Sequence, residues 1–459
     1  MNSYFDTKHL VRSYFKMAFP VVLGLVVTLI YNLADTYFIA RTDDTNLIAG
    51  VSLCAPVFTA LMAFGNIFGQ GGSSLISRLL GENNAEGTAR VSAFCFYIAI
   101  ATGVVLAVLM TAFSTPLLSL LGANAQTFPY ARSYYSILVV CAPIIVVSFI
   151  HQNLVRCEGL ATESMIGTIV GAGINIVLDP ILISGLSMGA AGAAIATVIG
   201  YACSVVYFLW LLGRKSRCLS VRFSNCRVNG AELKQILGIG VTAALSNLMQ
   251  SLTVIVINQF LLPYGNDKIA AMGIVLKINM IVQLVLVGFS FGGVPLFGYL
   301  CGAGEGKLLR KLVRFCLTFL TGLSLVFTAA LFMGAARIMG LFLTDTGLIM
   351  TGAQMLRWQV STAVFAGIVL LMTVLFQATG KVIPSFVMSI SRQGVVFLAA
   401  LLVCVRLFSY DGVLMAQAVA DCISAAIAIA LLFVSKPIPD APNQRYVALG
   451  LLFGRRERN

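Results

Sequence analysis

The chain has 459 residues, of which 59% are hydrophobic and only 10% charged, and its mean hydropathy is +0.96. A water-soluble domain covers itself with roughly 25% charged residues, so a large soluble core is excluded. The net charge of +13 invites a nucleic-acid reading, which its distribution along the chain removes.

Residues 1–16 carry Asp6, Lys8, Arg12 and Lys16 and lack a short apolar core ahead of a small-residue cleavage site. The first apolar run is therefore expected to act as its own insertion signal. Apolar runs between charge and turn clusters predict spans near 17–40, 49–77, 91–112, 133–155, 163–184 and 189–213. The polar, basic stretch 214–233 reads as a linker, and a second set follows near 234–262, 269–300, 311–333, 354–377, 383–406 and 411–435. The predicted class is an all-α polytopic membrane protein of twelve helices, with halves 1–213 and 234–459, the second ending in a short basic tail. These spans put 22 of the 30 Lys and Arg on one side and six on the other. That asymmetry is the positive-inside pattern of topology. It places both termini and the linker in the cytoplasm and leaves no nucleic-acid partner.

The halves repeat. At a shift of 221, Phe68, Gly71, Gly72, Leu75, Leu79, Gly81, Phe94 and Cys95 meet Phe289, Gly292, Gly293, Leu296, Leu300, Gly302, Phe315 and Cys316. Six spans per half is an even number, so both halves insert the same way up. The repeat is parallel, an arrangement found in transporters that rock about a central site. A duplicated channel has the same pattern.

Several signals carry no chemistry. Most of the eleven cysteines lie in apolar runs, and Cys218 and Cys226 lie in a reducing linker, so neither disulfides nor a metal site is expected. GAGEGK (302–307) lacks the spacer and hydroxyl of a phosphate loop. His9 and His151 have no partners in the sequence pattern, and no nucleophile–base constellation appears, so no enzyme activity and no cofactor are expected.

Charge inside a bilayer costs at least ~2.5 kcal/mol at a helix centre, so each intramembrane charge needs a reason. The candidates are Asp35, Asp179, Lys277, Arg392 and Asp421. Their repeat counterparts are Thr253, Ala400, Pro56, Gly171 and Gly200, so the shared architecture does not demand them. Asp35 and Asp179 each sit ~7.5 Å from the outer end of a span. Tyr31 and Asn32 lie a turn before Asp35, and Asn175 a turn before Asp179. Pro180 removes a backbone donor, and Thr197 adds a hydroxyl, giving an oxygen-rich pocket suited to H⁺ or Na⁺. The alternative is that each Asp merely anchors its helix at the interface. Arg392 and Asp421 both fall near the midplane and predict an ion pair, structural or coupled to transport. Lys277 has no evident partner, and either snorkels or lines a cavity.

The segments YNLADTYFIA (31–40), FGQGGSSLISRLLGENN (68–84), GAGINIVLDPILI (171–183), GAAGAAIATVIGY (189–201), SISRQG (389–394) and AQAVAD (416–421) resemble the multidrug and toxic compound extrusion (MATE) family, nearest its MepA-like bacterial branch. The resemblance implies two six-helix bundles around a V-shaped cavity, in the plasma or inner membrane. It implies export of organic, often cationic, compounds against inflowing H⁺ or Na⁺, by a monomer. It further implies that Asp35, Asn175, Asp179 and Thr197 form the N-half cation site and that the first helix bends at Pro20. No acid lies in 234–262 or 354–377, where some Na⁺-driven relatives carry one. A lipid-linked oligosaccharide flippase of the same superfamily, or a channel or receptor of duplicated fold, remains as the alternative.

Overall fold

The computed structural model describes residues 5–6 and 8–439, and the basic tail beyond 439 lies outside them. Among the described residues, nine helical segments are long and apolar enough to cross a membrane, and two bent pairs raise the number to eleven. The twelfth is hidden in one of the nine. Val382–Ser435 runs for 54 residues, or ~81 Å at the helical rise, far more than the ~30 Å of hydrocarbon. It folds back at Ser409, whose φ of 51° lies in the left-handed region. This segment is thus the eleventh and twelfth spans.

The other ten are Leu10–Ala40, Thr45–Gly81, Ala85–Ala112, Phe128–Cys157, Ala161–Gly185, Gly189–Arg214, Gly230–Tyr264, Asp267–Gly302, Gly306–Met339 and Thr346–Ala378. Several spans, the first, third, fourth, ninth and tenth among them, run five or more residues further than the sequence pattern marks. The first and ninth begin at Leu10 and Gly306, because amphipathic turns at the membrane surface are polar enough to hide from a hydropathy reading. A short helix, Ser114–Leu120, occupies a stretch expected to be loop. Another, Thr45–Leu53, leads into the second span and is capped by Asp44. A hydrogen bond from the Tyr130 hydroxyl at 2.6 Å holds the Asp44 carboxyl below the usual carboxylate range. The first helix continues unbroken through Pro20.

The two halves meet at one end, that of the linker, and the paired repeat positions make matching contacts across a pseudo-two-fold axis. A Cβ on Gly71 would strike the Ile236 carbonyl of the seventh span. A Cβ on the counterpart, Gly292, would strike Ala18 of the first span, and Ala18 is itself the counterpart of Ile236. Gly81 abuts Tyr299 while Gly302 abuts Arg78, again a matched pair. The repeated glycines are there because four backbones cross too closely for any side chain. Around the crossing, Phe15, Phe289 and Phe319 pack edge to face, with ring centroids 5.0–6.4 Å apart.

The apolar core divides accordingly. One cluster, with Tyr14, Ile76, Ile236, Leu296 and Phe376, draws on both halves. A second, with Ile39, Leu61, Leu138 and Ala194, belongs to the N half alone. A third, with Ile257, Met339, Leu356 and Leu414, belongs to the C half alone. The halves therefore join at the linker end and part toward the other, which is the V-shaped cavity. Overpacking such a crossing costs about 1–3 kcal/mol. Gly71→Leu is expected to lower the thermal midpoint of the purified protein, whereas Gly173→Ala, which meets nothing within 4 Å, leaves it unchanged. Equal midpoints for Gly71→Leu and wild type would contradict the close crossing.

Candidate functional site

The fifth span ends in a π-turn, Pro180–Gly185, directly after Asp179. Pro180 lacks the N–H that an α-turn would need, and widening the turn accommodates that loss. Asp179 is thereby held fully inside the N half, with 0% of its surface exposed. Asn175, one turn earlier, bridges the fifth and sixth spans. With its amide nitrogen donating to Asp179 Oδ2 at 3.0 Å, its oxygen accepts from the Thr197 backbone N–H at 3.1 Å.

From the first span, Asp35 lies within electrostatic reach of Asp179 and of the Tyr31 and Tyr134 hydroxyls. Its Oδ1 is buried with no hydrogen-bond partner. The sequence-derived group of Asp35, Tyr31, Asn175, Asp179 and Thr197 thus comes together as one cluster. Asn32 does not join it: it is exposed, because the helix turns Tyr31 toward the pocket in its place. Tyr134 and Tyr201, which the sequence reading passed over, complete the wall, and Tyr201 is within hydrogen-bonding reach of Tyr31. Their only signal was aromatic residues in otherwise aliphatic spans.

Below these carboxylates lies a cavity of about 500 Å³ bordered by Tyr31, Gln152, Thr168, Asn175, Thr197 and Tyr201. Neither Asp35 nor Asp179 lines it, but each sits one helical turn beyond a residue that does. A larger space of about 950 Å³ adjoins it through the shared Thr28, Phe149, Gln152 and Thr168. This second space reaches the C half at Asn247, Val287 and Phe291, and Pro20 forms part of its wall. No group of three or more His, Cys, Asp or Glu that could hold a metal occurs among the described residues.

The C half differs at the matching place. Arg392 Nε donates to Asp421 Oδ1 at 2.8 Å, with the Asp421 side chain buried and that of Arg392 largely so. Thr362 and Gln417 donate to the same carboxylate at 3.2 and 3.0 Å, and Arg392 Nη1 reaches Gln283 Oε1 at 3.4 Å. Arg392 stands on a second π-turn, Ser391–Val395, braced where Thr253 donates to the Gln393 carbonyl at 2.6 Å. Their N-half counterparts, Gly171 and Gly200, line the 500 Å³ cavity. At those glycines the fifth and sixth spans touch directly, since a Cβ on Gly171 would strike Ser204 and the Gly200 carbonyl. Lys277 is exposed on the eighth span and forms no ion pair among the described residues. His151 is buried, with Nδ1 on the Val147 carbonyl at 3.0 Å.

The MatE family model matches the chain twice, over residues 20–181 and 242–402. The chain is 31% identical over 430 residues to the multidrug export protein MepA of Staphylococcus haemolyticus (strain JCSC1435), covering 94% of this chain and 95% of that protein. It is 30% identical to MepA of Staphylococcus aureus (strain NCTC 8325), over 94% of this chain and 95% of that protein. A crystal structure of MATE in the bent conformation superimposes with a TM-score of 0.86 at 23% identity, covering 96% of this chain and 97% of that one. An outward-facing multidrug resistance MATE transporter of the MOP superfamily superimposes with a TM-score of 0.85 at 23% identity, over 96% of each chain.

Removing one partner of a buried ion pair leaves the other charge uncompensated, at a cost of about 3–5 kcal/mol. Asp421→Asn is therefore expected to reduce the yield of monodisperse protein sharply. The swap of Arg392→Asp with Asp421→Arg should recover part of it. Wild-type stability of Asp421→Asn would mean that the pair carries no structural load.

Proposed function

The chain belongs to the MatE family, and from that premise we propose that it is a secondary-active exporter of organic, often cationic, compounds, driven by inflow of H⁺ or Na⁺. The observation that carries this reading is the N-half cluster: two carboxylates within electrostatic reach of each other, one fully buried and one with an unpartnered oxygen, beside a cavity that opens into the V. A buried carboxylate surrounded by neutral partners leaves its charge uncompensated. An incoming proton or Na⁺ supplies that compensation, and so does a cationic substrate. The two compete for the same charge, which is the requirement for exchange.

Coupling follows from this competition. An ion that neutralises Asp35 and Asp179 removes their attraction for a bound organic cation and favours its release. One elementary charge moved through 100 mV is worth about 2.3 kcal/mol, enough to bias such an exchange. A flippase handling a pyrophosphate-linked lipid calls for several cations on the cavity wall. Among the described residues lining the three central cavities, Arg156 alone is charged, which favours the exporter reading.

The orientation we propose, from the basic linker and termini, puts the joined end of the V in the cytoplasm and its open end outside. The chain would act in the plasma membrane as a monomer. Cys226 is partly exposed in the linker. In a variant keeping Cys226 as its single cysteine, a membrane-impermeant maleimide should label cells only after permeabilisation, and labelling of intact cells overturns the orientation.

Asp179→Asn keeps size and hydrogen bonding and mimics the neutral carboxyl. It should abolish gradient-driven efflux of a cationic dye from proteoliposomes while the protein still elutes as a monodisperse peak. Asp35→Asn should do the same or displace the pH dependence of efflux. Imposing pH and Na⁺ gradients separately identifies the driving ion. Full coupled efflux by the double Asn variant would sink this mechanism.

A further inference from the structure

The floor of the V holds a cation that the mechanism above does not use. The fourth span turns Phe149, Gln152, Asn153 and Arg156 toward the 950 Å³ space. Arg156, the last of these, also borders a deeper cavity of about 350 Å³ with Gln70, Ser73, Ser74 and Gln377. Gln70, Asn153, Arg156 and Phe291 border both cavities, so they form the neck between the two.

Among the described residues Arg156 has no carboxylate beside it. Its Nη2 donates to the neutral Asn153 Oδ1, and no ion pair among the described residues includes it. The repeat does not demand the charge either: at a shift of 221 its counterpart is Gln377, which borders the same deeper cavity. A guanidinium drawn into a neck of neutral side chains without a counter-charge is costly. The neighbouring Gln70, Gln377 and Asn247 add amide donors that suit an anion. A planar fork of N–H groups matches a carboxylate in two-point contact.

We propose that Arg156 anchors the carboxylate of amphoteric substrates at the floor of the central cavity. The chain then selects zwitterionic organic compounds as well as simple cations, with the anionic end held at the joined end of the V and away from Asp35 and Asp179. This rests on the exporter reading, but binding can be measured whether or not transport occurs.

The test uses a matched pair of dyes, rhodamine 110, which carries a free carboxylate, and its methyl ester, rhodamine 123. Their affinities for purified full-length protein are read by fluorescence polarisation. Arg156→Gln should weaken rhodamine 110 about tenfold or more, the scale of a lost charged hydrogen bond, and leave rhodamine 123 within about twofold. Arg156→Lys, which keeps the charge and loses the fork, should fall between. Parallel losses for both dyes, or none, overturn the proposal, as does a free inorganic anion occupying the guanidinium, which would leave the ester and the acid equally affected. Should Arg156→Gln aggregate, competition on the wild-type chain reads the same site. Benzoate should displace rhodamine 110 where benzamide does not, and equal displacement by the two, or by neither, overturns it. Failure of the exporter reading appears separately, as dye binding without gradient-driven movement in proteoliposomes.

Discussion

Everything in this molecule hangs from the crossing at which four helices approach nearer than side chains allow. Gly71 against Ile236 and Gly292 against Ala18 set the distance on either side of the axis, and Gly81 with Gly302 repeat it one step nearer the linker. Because the tight contact is confined to that end, the spans must diverge away from it. The cavity is the consequence of that divergence, and its floor is the crossing itself. Polar bonds across the joint are few: Tyr14 donates to the Phe289 carbonyl at 2.9 Å, Ser74 to that of Gln377, and Arg90 Nη2 to Glu232 Oε1 at 3.4 Å. Van der Waals contact between small residues dominates the rest, as it does where lipid offers no hydrophobic drive for association.

Duplication supplied two matching helix pairs, and the present sequence equips them differently. In the N half, Gly171 and Gly200 pack backbone against backbone where the fifth and sixth spans meet, and both border the 500 Å³ cavity. In the C half the same positions carry Arg392 and Asp421, and an ion pair takes the place of that backbone contact. Thr253 stands where the N half has Asp35, and it braces the π-turn rather than presenting a charge. Two carboxylates without counter-charges in one half, and a neutralised pair in the other, make the halves chemically unlike on a common frame.

Much of this was legible in the sequence, for identifiable reasons. Hydropathy marks spans because lipid demands apolar surface, and depth along a helix follows from a fixed rise. Depth alone brought Asp35 level with Asp179 and Arg392 level with Asp421; the structure pairs Arg392 with Asp421 and sets Asp35 within electrostatic reach of Asp179. Rotation about the helix axis was less legible, since Tyr31 and Asn32 differ by one position and only one faces inward. The turn at Ser409 was legible, since it falls between the predicted spans 383–406 and 411–435, where Arg406, Asp411 and Gly412 interrupt the apolar run. Arg156 falls one residue past the predicted span 133–155, a position that reads as membrane surface. The fourth span continues to Cys157, so the residue is inside.

The partition of the core bears on how such a frame can move. Each half owns a cluster of its own away from the joint, so each can shift without repacking its interior. A motion that opened the linker end would instead separate the shared cluster, with the aromatic group of Phe15, Phe289 and Phe319 and the neck around Arg156. A packed core resists continuous deformation, so the two arrangements are discrete and the cost of exchange falls on the joint. Whatever occupies the neck or the carboxylate cluster changes that cost only by binding the two arrangements unequally. The carboxylates lie in the N half's fifth-span pocket and the guanidinium in the joint itself. A ligand touching Arg156 therefore acts on the very contacts that must part, whereas an ion at Asp179 acts on the interior of one moving body.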